Sequence, residues 1–177
     1  LHRLLVSAEV PGDEAATGEE GVSRMTHAEL IDRARRWLTN TRRCTLVATE
    51  RNSWACGESP DAIGWRYDGY SVLVECKTTL RDFYADQRKP GRREGWRGMG
   101  RERWYLTPAG LLAGRYLPPG WGWLEVRGSI VRRAHEASPR VDPLAAQREL
   151  PLLVAMTRRA LCSGFNGIAC GVPTEAA

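Results

Sequence analysis

The segment that most constrains the fold runs from residue 62 to 78, where two stretches rich in β-forming residues flank Asp68-Gly69. Asp-Gly between such stretches is the signature of a hairpin. The second arm, YSVLVECKT, has the uninterrupted apolar run Val72-Leu73-Val74. A strand this apolar is buried on both faces and belongs in the middle of a sheet. The rest of the chain must therefore supply more strands and the layers that cover them.

It has the material to do so. Thr26-His27-Ala28-Glu29 has the form of a capping box, and Leu30, Ala34, Trp37 and Leu38 follow at helical spacing, predicting a helix over about 27 to 39. Cys44 to Glu50 reads as a strand that enters the polar loop 51 to 60. Thr79 to Lys89 places Leu80, Phe83 and Tyr84 on one helical side before Pro90-Gly91. Strands are expected at 103–107 and 122–127, with a short turn of helix between them at 108–113 and an edge strand over 129–135. A long helix is expected over 144–161, kinked or divided by Pro151. Together these predict an α/β fold, a mixed sheet flanked by helices.

Residues 25–161 form the expected single domain, because 177 residues suit one core. Residues 1–24, with five acidic side chains against two arginines, are expected to be a flexible acidic leader, and 162–177 a C-terminal tail. No apolar run approaches the ~20 residues of a membrane span. Five scattered cysteines suit a reducing, cytoplasmic setting better than a disulfide scaffold. They form no CxxC pair, and the three histidines form no HExxH pattern.

The chemistry is concentrated in Pro60-Asp61 and Glu75-Cys76-Lys77. Glu75 and Lys77, two apart on one strand, leave the same face. Asp61 joins them or not according to the turn. A two-residue Asp68-Gly69 loop sets Asp61 opposite Cys76 and aims it away. A three-residue Tyr67-Asp68-Gly69 loop, with glycine left-handed, pairs Arg66 with Tyr70 and Asp61 with Glu75. The second register is the expectation adopted, since it alone gathers the three.

Two carboxylates on adjacent strands make a hard oxygen site suited to Mg²⁺ or Mn²⁺, with the Cys76 main-chain carbonyl as a further ligand. Lys77 would hold or help deprotonate the attacking water. Lysine occurs only at 77 and 89, against 24 arginines, so an ammonium stands where this chemistry needs one. The competing reading is a solvated Glu75–Lys77 ion pair with Asp61 as a turn residue.

These residues, extended through the string ECKTTLRDFYADQRKP, resemble the PD-(D/E)XK nuclease superfamily and within it the MmcB-type DNA-repair branch. The matching positions are Glu75, Lys77, Thr78, Thr79, Asp82, Phe83, Asp86 and Lys89. The resemblance spans about residues 27–160. It implies a restriction-endonuclease-like core with a divalent-metal site at the hairpin, and a further acidic ligand for which Glu50 is favoured over Glu29, the capping-box carboxylate. The implied activity is metal-dependent hydrolysis of DNA phosphodiester bonds by an endonuclease, with RNA kept open, in repair, recombination or mobile-element biology of a bacterial or phage-like cell.

Residues 88–103 carry seven basic side chains against two acidic ones, a net +5 equal to the formal charge of the whole chain. Their glycines suit a loop that settles on phosphates. Thr78, Thr79, Lys89, Arg92, Arg93, Arg97 and Arg101 are the candidate phosphate contacts, with Thr79 alternatively a helix cap, and Trp96 is a candidate to stack on an unpaired base. Asp82 and Asp86 share a helix side and are candidates to orient Lys77. Trp37, Trp121 and Trp123 are expected in the core, and Trp104 and Tyr105 divided between core and cleft. A homodimer or a partner protein is expected to direct substrate choice. The rival readings are a nucleic-acid-binding protein without turnover and a structural or protein-interaction module.

Overall fold

The computed structural model describes residues 25–51, 57–89, 92, 98–139, 142 and 144–162. The expected leader (1–24), the tail beyond 162, and Arg93, Trp96 and Arg97 lie outside the described residues.

Six strands form one open mixed sheet in sequence order. These are β1 (Leu46–Thr49), β2 (Ala62–Trp65), β3 (Ser71–Cys76), β4 (Glu102–Pro108), β5 (Trp121–Arg127) and β6 (Ile130–His135). The pairs β1–β2, β2–β3 and β5–β6 are antiparallel, and β3–β4 and β4–β5 are parallel. Every residue of β3 is buried, as its apolar sequence predicts for a central strand. β6, mostly exposed, is an edge.

Helix α1 (His27–Asn40) starts at the expected capping box: the Thr26 hydroxyl accepts from the Glu29 N–H, and the Glu29 carboxylate accepts from the Thr26 N–H. Its buried stripe, Leu30, Ile31, Ala34, Trp37 and Leu38, packs one sheet face against Val72, Val74, Trp104, Leu106 and Leu124. Helix α2 (Leu80–Gln87) and helix α3 (Ala145–Cys162) cover the other face, where Phe83 and Leu152 join Ile63, Leu73, Tyr105 and Trp121. α3 continues through Pro151 as one helix rather than dividing there. Its Glu149 accepts from Trp65 Nε1, Ser71 Oγ and the Gly100 N–H, which ties helix to sheet.

Trp104 and Tyr105 are not shared between core and cleft as expected. Both are fully buried, on opposite faces of β4, because a central strand has no wet side. Trp37 and Trp121 are core residues as expected, while Trp123 is only half-buried.

Candidate active site

The β2–β3 turn takes the three-residue form. The Arg66 N–H donates to the Tyr70 carbonyl and the Gly69 N–H to the Arg66 carbonyl, with Gly69 at φ +77°. That positive φ is one glycine adopts without a Cβ penalty. The register pairs Ala62 with Val74 and Trp65 with Ser71, so the next pair outward is Asp61 with Glu75. On the helix α2 side of the sheet, Lys77 Nζ lies 2.9 Å from Glu75 Oε2 and 3.7 Å from Asp61 Oδ2. Asp61 Oδ2 also accepts from the Cys76 N–H at 2.7 Å and lies 3.3 Å from His27 Nε2. The three residues of the motif therefore converge at the end of the central hairpin.

Helix α2 adds a fourth group. The Thr79 hydroxyl accepts from the Asp82 N–H and starts the helix. Its expected phosphate contact gives way to this capping role, since the same hydroxyl also donates to Asp82 Oδ2 at 2.7 Å. Asp82 remains exposed, whereas Asp86, one turn further and next to the buried Phe83 side, is 2% exposed. Asp86 lies 3.6 Å from Lys77 Nζ, accepts from Tyr105 Oη at 2.9 Å and pairs with the exposed Lys89 at 2.9 Å.

Arg92 corrects the sequence reading most sharply. A phosphate contact requires an exposed guanidinium, but this one is 3% exposed. Its Nη2 lies 2.7 Å from Glu75 Oε1 and its Nε 2.8 Å from Asp86 Oδ2, while Nη1 pairs with Glu58. The guanidinium also stacks over Trp121 at 4.9 Å. A buried carboxylate cluster needs cations for compensation, and the nearby arginine meets that need instead of facing solvent.

Arg101 is exposed, but it stands at the start of β4, where Glu102 pairs with Val72, and its guanidinium lies over Tyr70. Lys77 instead bonds the Leu106 carbonyl near the other end of that strand. A separation of about 15 Å along the strand removes Arg101 from the cluster. Glu50 directly follows β1 at φ +50°; its N–H donates to the Asp61 carbonyl, continuing the β1–β2 register to a Glu50–Asp61 pair, its side chain is exposed, and its charge acts on the Cys76 thiol. Glu29 is engaged in its cap. Thr78 is half-buried directly after Lys77.

Burial works against the Lys77 ammonium, but Glu75, Asp86 and Asp61 outweigh it and raise its pKa above the ordinary lysine value. The group is thus a proton-bearing donor in this arrangement. Burial raises the Glu75 pKa, with Arg92 and Lys77 opposing. Asp86 feels the same burial, yet Arg92, Lys77 and Lys89 hold it far below the carboxylate range. The Cys76 thiol is pushed well up by burial first and by Asp61 and Glu75 next, so it is no thiolate nucleophile.

Among the described residues, no group of three or more His, Cys, Asp or Glu side chains is placed to hold a metal ion. The opposed pair Asp61 and Glu75 still has the donor chemistry of a hard-cation site. Glu58 and His27 are the neighbours that the sequence reading did not assign to the site, whereas Asp86, expected as a candidate to orient Lys77, lies beside it.

Fold and site together define an α/β protein with an open mixed sheet flanked by helices and a buried acid–amine cluster at the end of its central hairpin. The solved structure of the SPO1766 protein of unknown function from Silicibacter pomeroyi is similar, with a TM-score of 0.58 and 18% identity over 82% of this chain and 99% of that one. At that identity the likeness concerns the fold. No protein-family model matches the chain, and no curated protein matches it. Among the described residues no helix is long and apolar enough to cross a membrane.

Proposed function

We propose that this protein is a metal-dependent deoxyribonuclease of restriction-endonuclease-like fold, related to the PD-(D/E)XK superfamily. The observation that carries this reading is the three-residue hairpin register, which opposes Asp61 to Glu75 and leaves Lys77 Nζ 2.9 and 3.7 Å from their carboxylates. Chance placement of an ion pair on an edge strand would not bury Glu75 and Lys77 at 1% and 8% exposure.

Asp61 and Glu75 would hold the Mg²⁺ or Mn²⁺, with the Cys76 carbonyl beside them. When bound, such an ion polarises the scissile phosphate and acidifies an attacking water. Lys77, kept as an ammonium, positions that water and counters charge developing on the phosphate. Asp86 and Glu75 fix the position of its Nζ. Cys76 supplies no thiolate, which favours direct hydrolysis without a covalent enzyme intermediate. Thr78, next to Lys77, and the exposed Lys89 are the described groups best placed to meet the phosphate backbone. A second subunit or a partner protein would select the substrate.

A second reading, a nucleic-acid-binding protein without turnover, draws support from the Arg92–Glu75 pair, which places a guanidinium where an ion would bind. One experiment separates the two. Linear, nicked, flapped, branched and single-stranded DNA, plus RNA, are incubated with Mg²⁺ or Mn²⁺ and with Asp61→Ala and Lys77→Ala in parallel. Cleavage abolished by both substitutions, with most binding retained, is the expected result. Binding without cleavage by the unsubstituted chain would establish the second reading, and cleavage unaffected by either substitution would refute the assigned roles.

A further inference from the structure

The registers continue the site across the sheet. Glu75 pairs with Tyr105, Tyr105 with Trp123, and Trp123 with His135, so these residues form one transverse row on the α2 side of the sheet. Neighbouring strands are about 4.8 Å apart, which puts Trp123 about 10 Å from Glu75.

Along this row, between the 112–120 segment and β6, opens a cavity of about 530 Å³. It is lined by Trp121, Trp123 and the buried Pro118, with the exposed Arg115, Tyr116, His135 and Glu136 also in the lining. The aromatic floor is fixed in place. Trp121, 3% exposed, stacks on Tyr105 at 4.4 Å under the Arg92 and Arg103 guanidinium groups and so backs the cavity, while the half-buried Trp123 donates from Nε1 to Thr107 Oγ1 at 2.9 Å. The Tyr116 carbonyl accepts from Gln87 Nε2 at 3.2 Å, which anchors the rim to helix α2, the helix that carries Asp86. Tyr116 itself is 79% exposed, although tyrosine is ordinarily intermediate in burial.

The volume falls in the range of small-ligand pockets. The lining joins the aromatic side chains of Trp123 and Tyr116 to the exposed cation Arg115; its one carboxylate among the described residues, Glu136, is paired with Arg133. Arg132, opposed to Glu125 on the same face, adds positive charge nearby. An aromatic ring with an anion attached fits these features, and a base inside a duplex cannot reach them because both its faces are already stacked.

We propose that this cavity is a nucleobase subsite. It holds an unpaired base beside the scissile phosphate, with Tyr116 closing over the base and Arg115 meeting its phosphate, so that the preferred substrate is single-stranded or locally unpaired nucleic acid. The proposal rests on the nuclease reading of the Asp61–Glu75–Lys77 cluster for the position of the cut.

Fluorescence anisotropy tests it with the full chain and two labelled oligonucleotides of equal length and charge, oligothymidylate and an abasic counterpart, at fixed salt. The abasic strand is expected to bind about tenfold more weakly, because base stacking on aromatic rings is lost. Tyr116→Ala, a change at an exposed ring, should bring the two affinities together, and Tyr116→Trp should restore the difference. Equal affinity of the unsubstituted chain for both strands would overturn the subsite and leave metal-dependent cleavage, if seen, intact. Binding of a proline-rich peptide in competition with oligothymidylate, lost in Tyr116→Ala, would overturn the nucleobase assignment in favour of a protein ligand. Failure to bind either strand or duplex would overturn both this proposal and the nuclease reading.

Discussion

Arg92 Nη2 lies 2.7 Å from Glu75 Oε1 while Lys77 Nζ lies 2.9 Å from Oε2 of the same carboxylate, so both oxygens of a buried glutamate face internal cations. On the proposed nuclease reading, a divalent ion at Glu75 and the Arg92 pair are alternatives. Replacing Arg92 with Gln should strengthen Mn²⁺ binding by about tenfold, or ~1.4 kcal/mol. Without the ion, the same change leaves Glu75 and Asp86 short of compensation and should cost ~3–5 kcal/mol. Mn²⁺ titrations followed by calorimetry and by thermal unfolding check this, with a larger ion-induced rise in Tm expected in Arg92→Gln than in the unsubstituted protein.

Asp86 should dominate acid sensitivity on this face of the sheet. Its folded pKa lies below the unfolded value of about 3.9, so its contribution is complete above that value and is lost as pH falls through and below it. Glu75, raised by burial, acts in the opposite sense, because the folded state favours its protonated form. Comparison with Asp86→Asn isolates the first effect. Urea midpoints from pH 6 to 3 should fall more steeply for the unsubstituted protein than for Asp86→Asn. At pH 7, Asp86→Ala should destabilise by ~3–5 kcal/mol, since Arg92 and Tyr105 both lose a buried partner.

The hairpin was legible from sequence because its constraints are local. A central strand needs continuous apolar side chains, and Asp68-Gly69 marks the turn; the local pattern leaves a two- and a three-residue loop open, and the Arg66–Tyr70 pairing is adopted because it alone gathers Asp61, Glu75 and Lys77. Helix α1 was legible for the same reason, through its capping box. Arg92 was not, because its position depends on Glu58, Glu75 and Asp86, which come from a loop, a strand and a helix. A run of arginines looks the same in sequence whether it faces phosphate or a buried carboxylate. The burial of Tyr105 depends likewise on two parallel neighbours, β3 and β5, whose order no local pattern encodes.

Thiol reactivity should follow burial. Burial raises the Cys44 pKa to about 11, and the Cys76 thiol is higher than its ordinary value for the same reason, whereas Cys162 is exposed. Alkylation at pH 8 followed by peptide mapping should modify Cys162 readily and leave Cys44 and Cys76 protected. Because the folded Cys44 retains its proton above the pH at which the unfolded thiol loses it, stability should decline as pH rises from about 8.5 towards 11. Cys44→Ala should make that decline shallower in urea titrations, and an equal slope in the two proteins would contradict the assignment.

Gly122 separates two causes of glycine sensitivity. It lies on β5 opposite Trp104, whose ring packs edge-on against Trp37 at 5.5 Å as part of the contact between α1 and the sheet. A Cβ at Gly122 would stand 2.5 Å from Trp104 Cζ3 and 2.7 Å from the Ala137 nitrogen. One of these neighbours is backbone, so the clash cannot be relieved by a rotamer change alone, and Gly122→Ala should cost ~1–3 kcal/mol or more. Gly128 has φ +59° and open space around its missing Cβ. Its replacement by Ala introduces backbone strain alone, ~1–2 kcal/mol. Urea unfolding followed by tryptophan fluorescence distinguishes them. Gly122→Ala should change the native emission as well as the midpoint, because Trp104 must move, while Gly128→Ala should shift the midpoint alone.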